Sequence, residues 1–298
     1  MTIVFGLCGV LVFTYTVFCI GLRQWQTRLL FFPDAQLQIL PESIGLAAKK
    51  IWLPVGQGEH QGFVNGWWIP AKEDANQQRD APVVLYLHGN GSNLGDLTET
   101  GQRFHDLGWH CLLIDYRGYG LSQGSFPAEE RVYEDAEVAW IYLVETLGIE
   151  PTRIIVYGHS LGGAIAIELA TRQPQMAGLI VEGSFTSMLD MAELQPRYKV
   201  FPLNWILTQR FESLDKVRSL QPSLLLLHGT ADETIPYQMS QRLHETAKRS
   251  IHQPHTQIVL IPRAGHNDLP EVGGERYLQV MRDFVEQVTH SEVAPSSL

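Results

Sequence analysis

Residues 153–170 read RIIVYGHSLGGAIAIELA, and this stretch decides the fold. The apolar residues at its start are typical of a buried strand, and the small residues at its end favour a closely packed helix. Between them, residues 158–162 have the pattern Gly-x-Ser-x-Gly. In a strand–turn–helix context, this pattern lifts a serine hydroxyl out of the edge of a sheet. We therefore predict that Ser160 is an exposed nucleophile on a sharp turn.

Seven other short apolar runs flank this one, so that eight strands are predicted in all. They are residues 51–55, 63–69, 83–87, 111–114, 154–157, 179–181, 224–227 and 258–261. The first two runs are joined by a Gly-rich turn and predict an antiparallel hairpin. The others suit parallel strands buried on both faces, and helical periodicity lies between them at 130–147, 163–171 and 277–288. The predicted class is α/β, with a mostly parallel eight-stranded sheet and helices on both faces.

A serine hydroxyl needs a base to remove its proton, and the base needs an acid that orients it. In this architecture the acid and the histidine follow the serine along the chain, each in a loop after a strand. Asp232 follows the run at 224–227, and His266 follows the run at 258–261. Glu233 and Asp268 are neighbouring carboxylates that compete for the acid role, but their positions suit it less well. We therefore predict a triad of Ser160, Asp232 and His266.

Acyl transfer also needs donors aimed at the oxyanion that develops on the substrate. One donor is expected to be the backbone N–H of Leu161, which directly follows the serine. The other should come from the loop after the strand at 83–87, where we choose the N–H of Asn90, with Gly91 as the alternative. The remaining histidines form no pair with convincing metal-ligand spacing, so no metal and no other cofactor are expected.

The first 22 residues contain no Asp, Glu, Lys, Arg or His, and 16 of them are hydrophobic. About 20 apolar residues in a helix cross a bilayer core of roughly 30 Å. Arg23, Trp25 and Arg28 follow, a mixture suited to the lipid headgroups. A cleaved signal peptide would need a basic start and a small-residue cleavage site, and neither is evident. We predict a single-pass membrane anchor at 1–22. Positive charge on its C-terminal flank favours a cytoplasmic catalytic domain.

Composition excludes several other classes of protein. The net charge is −10, and no basic stripe is present that could bind nucleic acid. Three cysteines are too few for a disulfide scaffold. We expect a juxtamembrane segment at 23–47 and one catalytic domain at 48–298. Residues 184–211 are longer than a simple crossover needs, and they predict a small inserted cap. The apolar and aromatic residues of this region, Phe185, Met188 and Trp205 among them, are candidates for an acyl-chain pocket.

Seven segments carry a resemblance to a known family. They are 29–33 (LLFFP), 88–91 (HGNG), 115–120 (DYRGYG), 158–163 (GHSLGG), 184–187 (SFTS), 229–232 (GTAD) and 265–266 (GH). Together they resemble the α/β-hydrolase superfamily. Within it, the chain is similar to the membrane-anchored, small-cap abhydrolase-domain branch, which includes depalmitoylases and serine-aminopeptidase-like relatives. The Cys-rich N-terminus of the palmitoylated members is not matched, so their protein substrates are not carried over.

The resemblance and the residues together imply a serine hydrolase that cleaves carboxylic ester or thioester bonds. Acyl-chain, lipid-like substrates are expected from the apolar cap, and the bilayer is the expected partner of the N-terminal helix. A serine peptidase is the alternative enzyme, although it needs a carboxylate cluster that grips a free amine. A catalytically inactive, membrane-tethered binding protein of the same fold is the alternative from another class.

Overall fold

In a computed structural model of the protein, a single eight-stranded sheet organises the chain. The structure describes residues 2–58, 61–72 and 81–290, with side chains from residue 5 onward. The last eight residues of the predicted catalytic domain therefore lie outside the described part of the chain. The strands are β1 (Lys49–Val55), β2 (Gly62–Ile69), β3 (Val83–Leu87), β4 (His110–Ile114), β5 (Ile154–His159), β6 (Gly178–Glu182), β7 (Ser223–Gly229) and β8 (Thr256–Ile261).

The spatial order of the strands is β1-β2-β4-β3-β5-β6-β7-β8. The pairs β1–β2 and β2–β4 are antiparallel, and all the later pairs are parallel. The predicted hairpin and the predicted mostly parallel eight-stranded sheet are both confirmed. The parallel strands β3 to β7 are buried along most of their length, because helices cover both faces, and the edge strand β8 is half-buried.

The helices are α1 (Thr2–Leu30), α2 (Thr98–Asp106), α3 (Glu129–Ile141), α4 (Leu161–Arg172), α5 (Met188–Glu193), α6 (Leu203–Ile206), α7 (Ser213–Lys216), α8 (Gln238–Ala247) and α9 (Leu269–His290). Side chains of α3, α4 and α8 pack in the core on one face of the sheet. Side chains of α2 and α9 pack in a second core on the other face. Helices α5 and α6 belong to the 184–211 segment, which leaves the sheet after β6.

Helix α1 continues eight residues past Leu22, where the sequence predicts the anchor to end. Residues 5–18 are all exposed, whereas Cys19 is buried, and α1 contacts α6 of the 184–211 segment, which we call the cap. The stretch Phe5–Leu30 has a mean hydropathy of 2.1 and is long and apolar enough to cross a membrane. Only 6% of its most apolar window is buried by the rest of the protein.

Candidate active site

The turn between β5 and α4 holds Ser160 in a strained backbone conformation, with φ 55° and ψ −117°. Its own N–H donates to the carbonyl of Glu182 at 2.8 Å, and the Ser184 hydroxyl donates to its carbonyl at 2.8 Å. The turn depends on glycine, because a Cβ on Gly162 would lie 2.0 Å from the Leu87 carbonyl oxygen. Strand β6 and the tight glycine packing thus hold the serine hydroxyl at the carboxyl edge of the sheet.

The loops after β7 and β8 bring an acid and a histidine to the same edge. Nε2 of His266 lies 3.0 Å from the Ser160 hydroxyl, and its Nδ1 lies 2.7 Å from Oδ2 of Asp232. The three residues predicted as a triad are therefore joined by hydrogen bonds in the predicted order. The competing carboxylates lie elsewhere: Glu233 is exposed, and Asp268 accepts a hydrogen bond from the N–H of Gly265.

Several hydrogen-bond donors stabilise the carboxylate of Asp232. Oδ1 accepts the N–H groups of Thr234 and Ile235, both at 2.8 Å. Desolvation raises the pKa of this carboxyl. The hydrogen bonds from His228, His266 and the Ile235 N–H outweigh that effect and hold the pKa well below its usual value. Asp232 is therefore ionised at neutral pH, as the partner of an imidazolium must be.

His228 contacts the acid directly, and sequence analysis missed this role. Its Nε2 lies 3.1 Å from Oδ2 of Asp232 and 2.9 Å from the Ile235 carbonyl, while its Nδ1 lies 2.7 Å from the Ser240 hydroxyl. Because Nε2 faces two acceptors, it carries the ring proton, and Nδ1 accepts from Ser240. The signal available in the sequence is a histidine at the end of a strand, four residues before the acid.

We expect His228→Leu to lower kcat about ten-fold, because one hydrogen bond to a charged group contributes about 1.5 kcal/mol or more. The change also leaves the Ser240 hydroxyl unpaired, so the free energy of unfolding should fall by about 1–3 kcal/mol. Steady-state kinetics on a soluble ester and urea unfolding measure the two effects. Ser240→Ala is the matched control, since it keeps the contact between His228 and Asp232. An unchanged kcat in His228→Leu would contradict the role of this histidine.

The loop after β3 lies against the serine. A Cβ on Gly89 would lie 3.2 Å from Cβ of Ser160, and Gly89, Asn90 and Ser160 line the same cavity. As the first residue of α4, Leu161 has an N–H without a partner within the helix. The side chain of Asn90 is used elsewhere. It donates to the Leu30 carbonyl at 2.6 Å and accepts from the Phe32 N–H at 3.0 Å, so the end of α1 is tied to this loop.

A cavity of about 630 Å³ opens beside Ser160 and His266 and extends between α2 and α9. Its polar lining includes four carboxylates and one guanidinium: Asp96, Glu99, Glu182, Glu271 and Arg103. Glu182 lies deepest and is only 6% exposed, and its Oε2 accepts hydrogen bonds from the hydroxyls of Tyr157 and Tyr277. Burial, together with the charge of Glu182, raises the pKa of both tyrosines, which are therefore neutral donors.

The three cap residues predicted to form an acyl-chain pocket do not line this cavity. Phe185 is buried in the core against Phe211, with ring centroids 6.3 Å apart. Met188 lines a different, apolar cavity between the cap and α1. Trp205 is exposed and stacks against the guanidinium of Arg23. The structure therefore separates the apolar cap from the serine, because the cap packs on the N-terminal helix.

Two residues of the 115–120 segment, Asp115 and Arg117, have surroundings that suit a structural role. Asp115 and Arg117 are buried, and Arg117 pairs with Asp135 at 2.7 Å. Desolvation raises the pKa of Asp115 to about 8. Within the described ranges, no group of three or more His, Cys, Asp or Glu could hold a metal ion.

The doubly wound sheet, with a serine turn followed by an acid loop and a histidine loop, defines the class: an α/β hydrolase. Comparisons agree. The family model described as "Serine aminopeptidase, S33" matches residues 78–223. An uncharacterized protein of Mycobacterium tuberculosis is 30% identical over 260 residues, which is 87% of each chain. Protein bem46 of Schizosaccharomyces pombe is 34% identical over 68% of this chain and 67% of its own.

Solved structures show the same fold. The Pyrococcus furiosus esterase Pf2001 superposes with a TM-score of 0.69 and 18% identity, over 86% of this chain and 96% of its own. The chain belongs to the α/β-hydrolase superfamily, and it is similar to human alpha/beta hydrolase domain-containing protein 17B, with 31% identity over 69% of this chain and 66% of that protein.

Proposed function

We propose that this hydrolase cleaves carboxylic ester or thioester bonds, with Ser160 as the nucleophile, His266 as the base and Asp232 as the orienting acid. The observation that carries the proposal is the chain of contacts at 3.0 Å and 2.7 Å from the serine hydroxyl through the imidazole to an ionised carboxylate. The strained backbone of Ser160, at the carboxyl edge of a rigid sheet, supports it further.

In the proposed reaction, Oγ of Ser160 attacks the substrate carbonyl while Nε2 of His266 takes the hydroxyl proton. The N–H groups of Leu161 and Asn90 stabilise the oxyanion. The bond from the carbonyl carbon to the leaving oxygen or sulfur then breaks, and His266 returns its proton to the leaving group. A water molecule, deprotonated by the same imidazole, then attacks the acyl carbonyl carbon. The bond from that carbon to Oγ of Ser160 breaks as His266 returns the proton to Oγ, which releases the carboxylic acid. These steps need no cofactor.

A second candidate is hydrolysis of an amide bond next to a protonated amine, as a peptidase would perform it. The four carboxylates that line the cavity favour it, because a cleft lined by one sign of charge attracts ligands of the opposite sign. The single guanidinium of Arg103 offsets only part of this charge. The description of the matching family model, a serine aminopeptidase, adds to this candidate.

A substrate panel distinguishes the two candidates. We expect the purified protein to hydrolyse p-nitrophenyl esters from acetate to laurate and an acyl thioester, and to turn over aminoacyl p-nitroanilides at least 100-fold more slowly. Preference for the anilides would overturn the ester proposal, and so would a failure to hydrolyse any ester. A maximum at acetate with steep loss beyond butyrate would contradict acyl-chain substrates.

Matched variants give this comparison a second readout. Glu99→Gln removes a carboxylate at the cavity, and Glu145→Gln removes an exposed one that does not line it. Under the ester proposal, both variants keep the wild-type KM for esters. Under the peptidase candidate, Glu99→Gln alone raises the KM for the anilides.

We also propose that α1 anchors the protein in a bilayer. Its exposed apolar surface and its length support this location. The polar residues Arg23, Gln24 and Gln26 lie near its C-terminal end, where a helix that enters lipid would meet the headgroups.

A further inference from the structure

The apolar part of α1, which is proposed to enter a bilayer, is packed against the cap. Tyr15 and Phe18 both stack against Phe201 of the cap, with ring centroids 6.3 Å and 5.8 Å apart. The two residues precede Arg23, the first charged residue of α1, by eight and five positions, so at 1.5 Å per residue they lie about 12 Å and about 8 Å from it along the helix. The hydrocarbon core of a bilayer is about 30 Å thick.

We infer that the cap is immersed in the hydrocarbon layer beside α1, and that the apolar cavity between them holds an acyl chain of a bilayer lipid. This inference rests on the proposed anchor. With Arg23 at the level of the headgroups, Tyr15 and Phe18 both lie within the hydrocarbon layer. Because Phe201 is packed on these two rings, the cap loop at 198–201 enters the lipid with them.

The surface of the cap suits this location. Leu194, Val200 and Trp205 are large apolar side chains with 46%, 68% and 47% of their surface exposed. Trp205 stacks on Arg23, with the guanidinium carbon 5.4 Å from the ring centroid, at the level where the first charge of α1 occurs. Tryptophan and arginine at this level are typical of a lipid–water boundary. Val200 lies about 12 Å deeper along the helix, level with Tyr15.

Irregular backbone at membrane depth is tolerated only where its polar groups find partners in the protein. The polar side chains of α1 supply such partners. The Tyr15 hydroxyl donates to the Val200 carbonyl at 2.6 Å, and Arg23 donates to the Trp205 carbonyl. Gln26 donates to the Ile206 carbonyl and accepts from the N–H groups of the two residues after Leu207. The cap is thus hydrogen-bonded to the membrane helix along three turns.

The charge of the cap and α1 also favours their location at a lipid bilayer. The cap and α1 carry five basic residues and two acidic ones, although the whole chain has a net charge of −10. The basic residues are Arg23, Arg28, Arg197, Lys199 and Arg210, and the acidic ones are Asp190 and Glu193. Long basic side chains can extend from the apolar layer to the phosphates of the headgroups.

The cavity between the cap and α1 has a volume of about 280 Å³, just below the usual range for ligand sites. Its apolar lining comes from both sides, with Leu22, Leu29 and Leu30 on α1 and Met188, Met191 and Leu207 on the cap. Met side chains adapt to irregular ligands such as a flexible chain. Because α1 itself forms one wall, a lipid beside the helix can enter without crossing water. The cavity is separate from the one that holds Ser160, so its lipid is a bound neighbour rather than the substrate.

Photolabelling of the full chain in vesicles tests this inference. The probe is a phosphatidylcholine with a diazirine on its acyl chain, in vesicles that also contain phosphatidylglycerol, and adducts are mapped by mass spectrometry. We expect adducts on α1, on Met188 and Met191, and on Val200. The exposed apolar side chain of Ile251, far along the chain from the cap, is the internal control and should carry none.

Ala192→Trp fills the cavity and should reduce the adducts on Met188 and Met191 at least five-fold, while those on α1 persist. Adducts confined to α1 in the wild-type protein would overturn the inference but leave the anchor standing. Adducts on neither α1 nor the cap would overturn both, and turnover of a soluble ester in the same sample reports separately on the proposed chemistry. If Ala192→Trp does not fold, the wild-type pattern alone decides.

Discussion

Ser160→Ala is expected to lower kcat for a soluble ester by roughly 10⁵-fold or more, the scale seen when a serine nucleophile is removed from a triad. The physical reason is that no other atom can form the acyl-enzyme, while the cavity and the oxyanion donors stay in place. Labelling by a fluorophosphonate probe, which reacts only with an activated serine, should disappear with the activity. Stopped assays at high enzyme concentration and gel fluorescence measure the two losses.

The control for this variant is Ser219→Ala, which changes an exposed serine just before β7, away from the carboxyl edge of the sheet. It should keep full labelling and full turnover. The far-UV circular dichroism of Ser160→Ala should match the wild type, since the substitution keeps a small side chain on the same turn. Retained labelling in Ser160→Ala would show that another residue is the nucleophile.

Asp232→Asn is expected to lower kcat by roughly 10⁴-fold, because it reverses the hydrogen bonds around His266. Oδ1 accepts two backbone N–H groups, so the oxygen of an asparagine must take that position. Its NH₂ group then faces Nδ1 of His266 and Nε2 of His228, which both carry protons in the native arrangement. Nδ1 of His266 can accept a hydrogen bond from this NH₂ group only if the ring proton moves to Nε2. The ring then cannot accept the proton of Ser160.

Steady-state kinetics at pH 7–8 on the same soluble ester measure this loss, and Glu233→Gln is the matched control. Glu233 is the adjacent carboxylate, is exposed and competes for the role by sequence position alone. It should retain wild-type kcat. If Glu233→Gln were the inactive variant and Asp232→Asn the active one, the acid would be misassigned despite the 2.7 Å contact with His266.

Much of the fold is visible in the sequence, because buried parallel strands need continuous apolar runs and all eight such runs are strands. The sequence predicts the helices less completely than the strands. α3, α4 and α9 carry a clear apolar face, whereas α2 and α8 were not predicted. These two helices are mostly polar with few apolar anchors, such as Phe104 and Leu243, so packing against the sheet stabilises them more than local sequence does.

The candidate site likewise contains some residues that the sequence predicts and some contacts that only the structure shows. Residues 158–162, Asp232 and His266 are recognisable because the turn and the strand ends impose local patterns on the chain. The contact of His228 with Asp232 leaves only a weak signal, a histidine at the end of a strand four residues before the acid. The burial of Glu182 beneath two tyrosines leaves none, since Tyr157 and Tyr277 come from distant parts of the chain.

The sequence by itself determined the class of fold, the order of Ser160, Asp232 and His266 along the chain, and the apolar helix at the N-terminus. These features are encoded by local composition and spacing. Only the tertiary structure decided that the cavity at Ser160 is acidic and that the apolar cap, with Met188 and Trp205, faces α1 instead. The direction in which an irregular segment packs depends on which distant surface can bury its side chains and satisfy its backbone. Here that surface is helix α1.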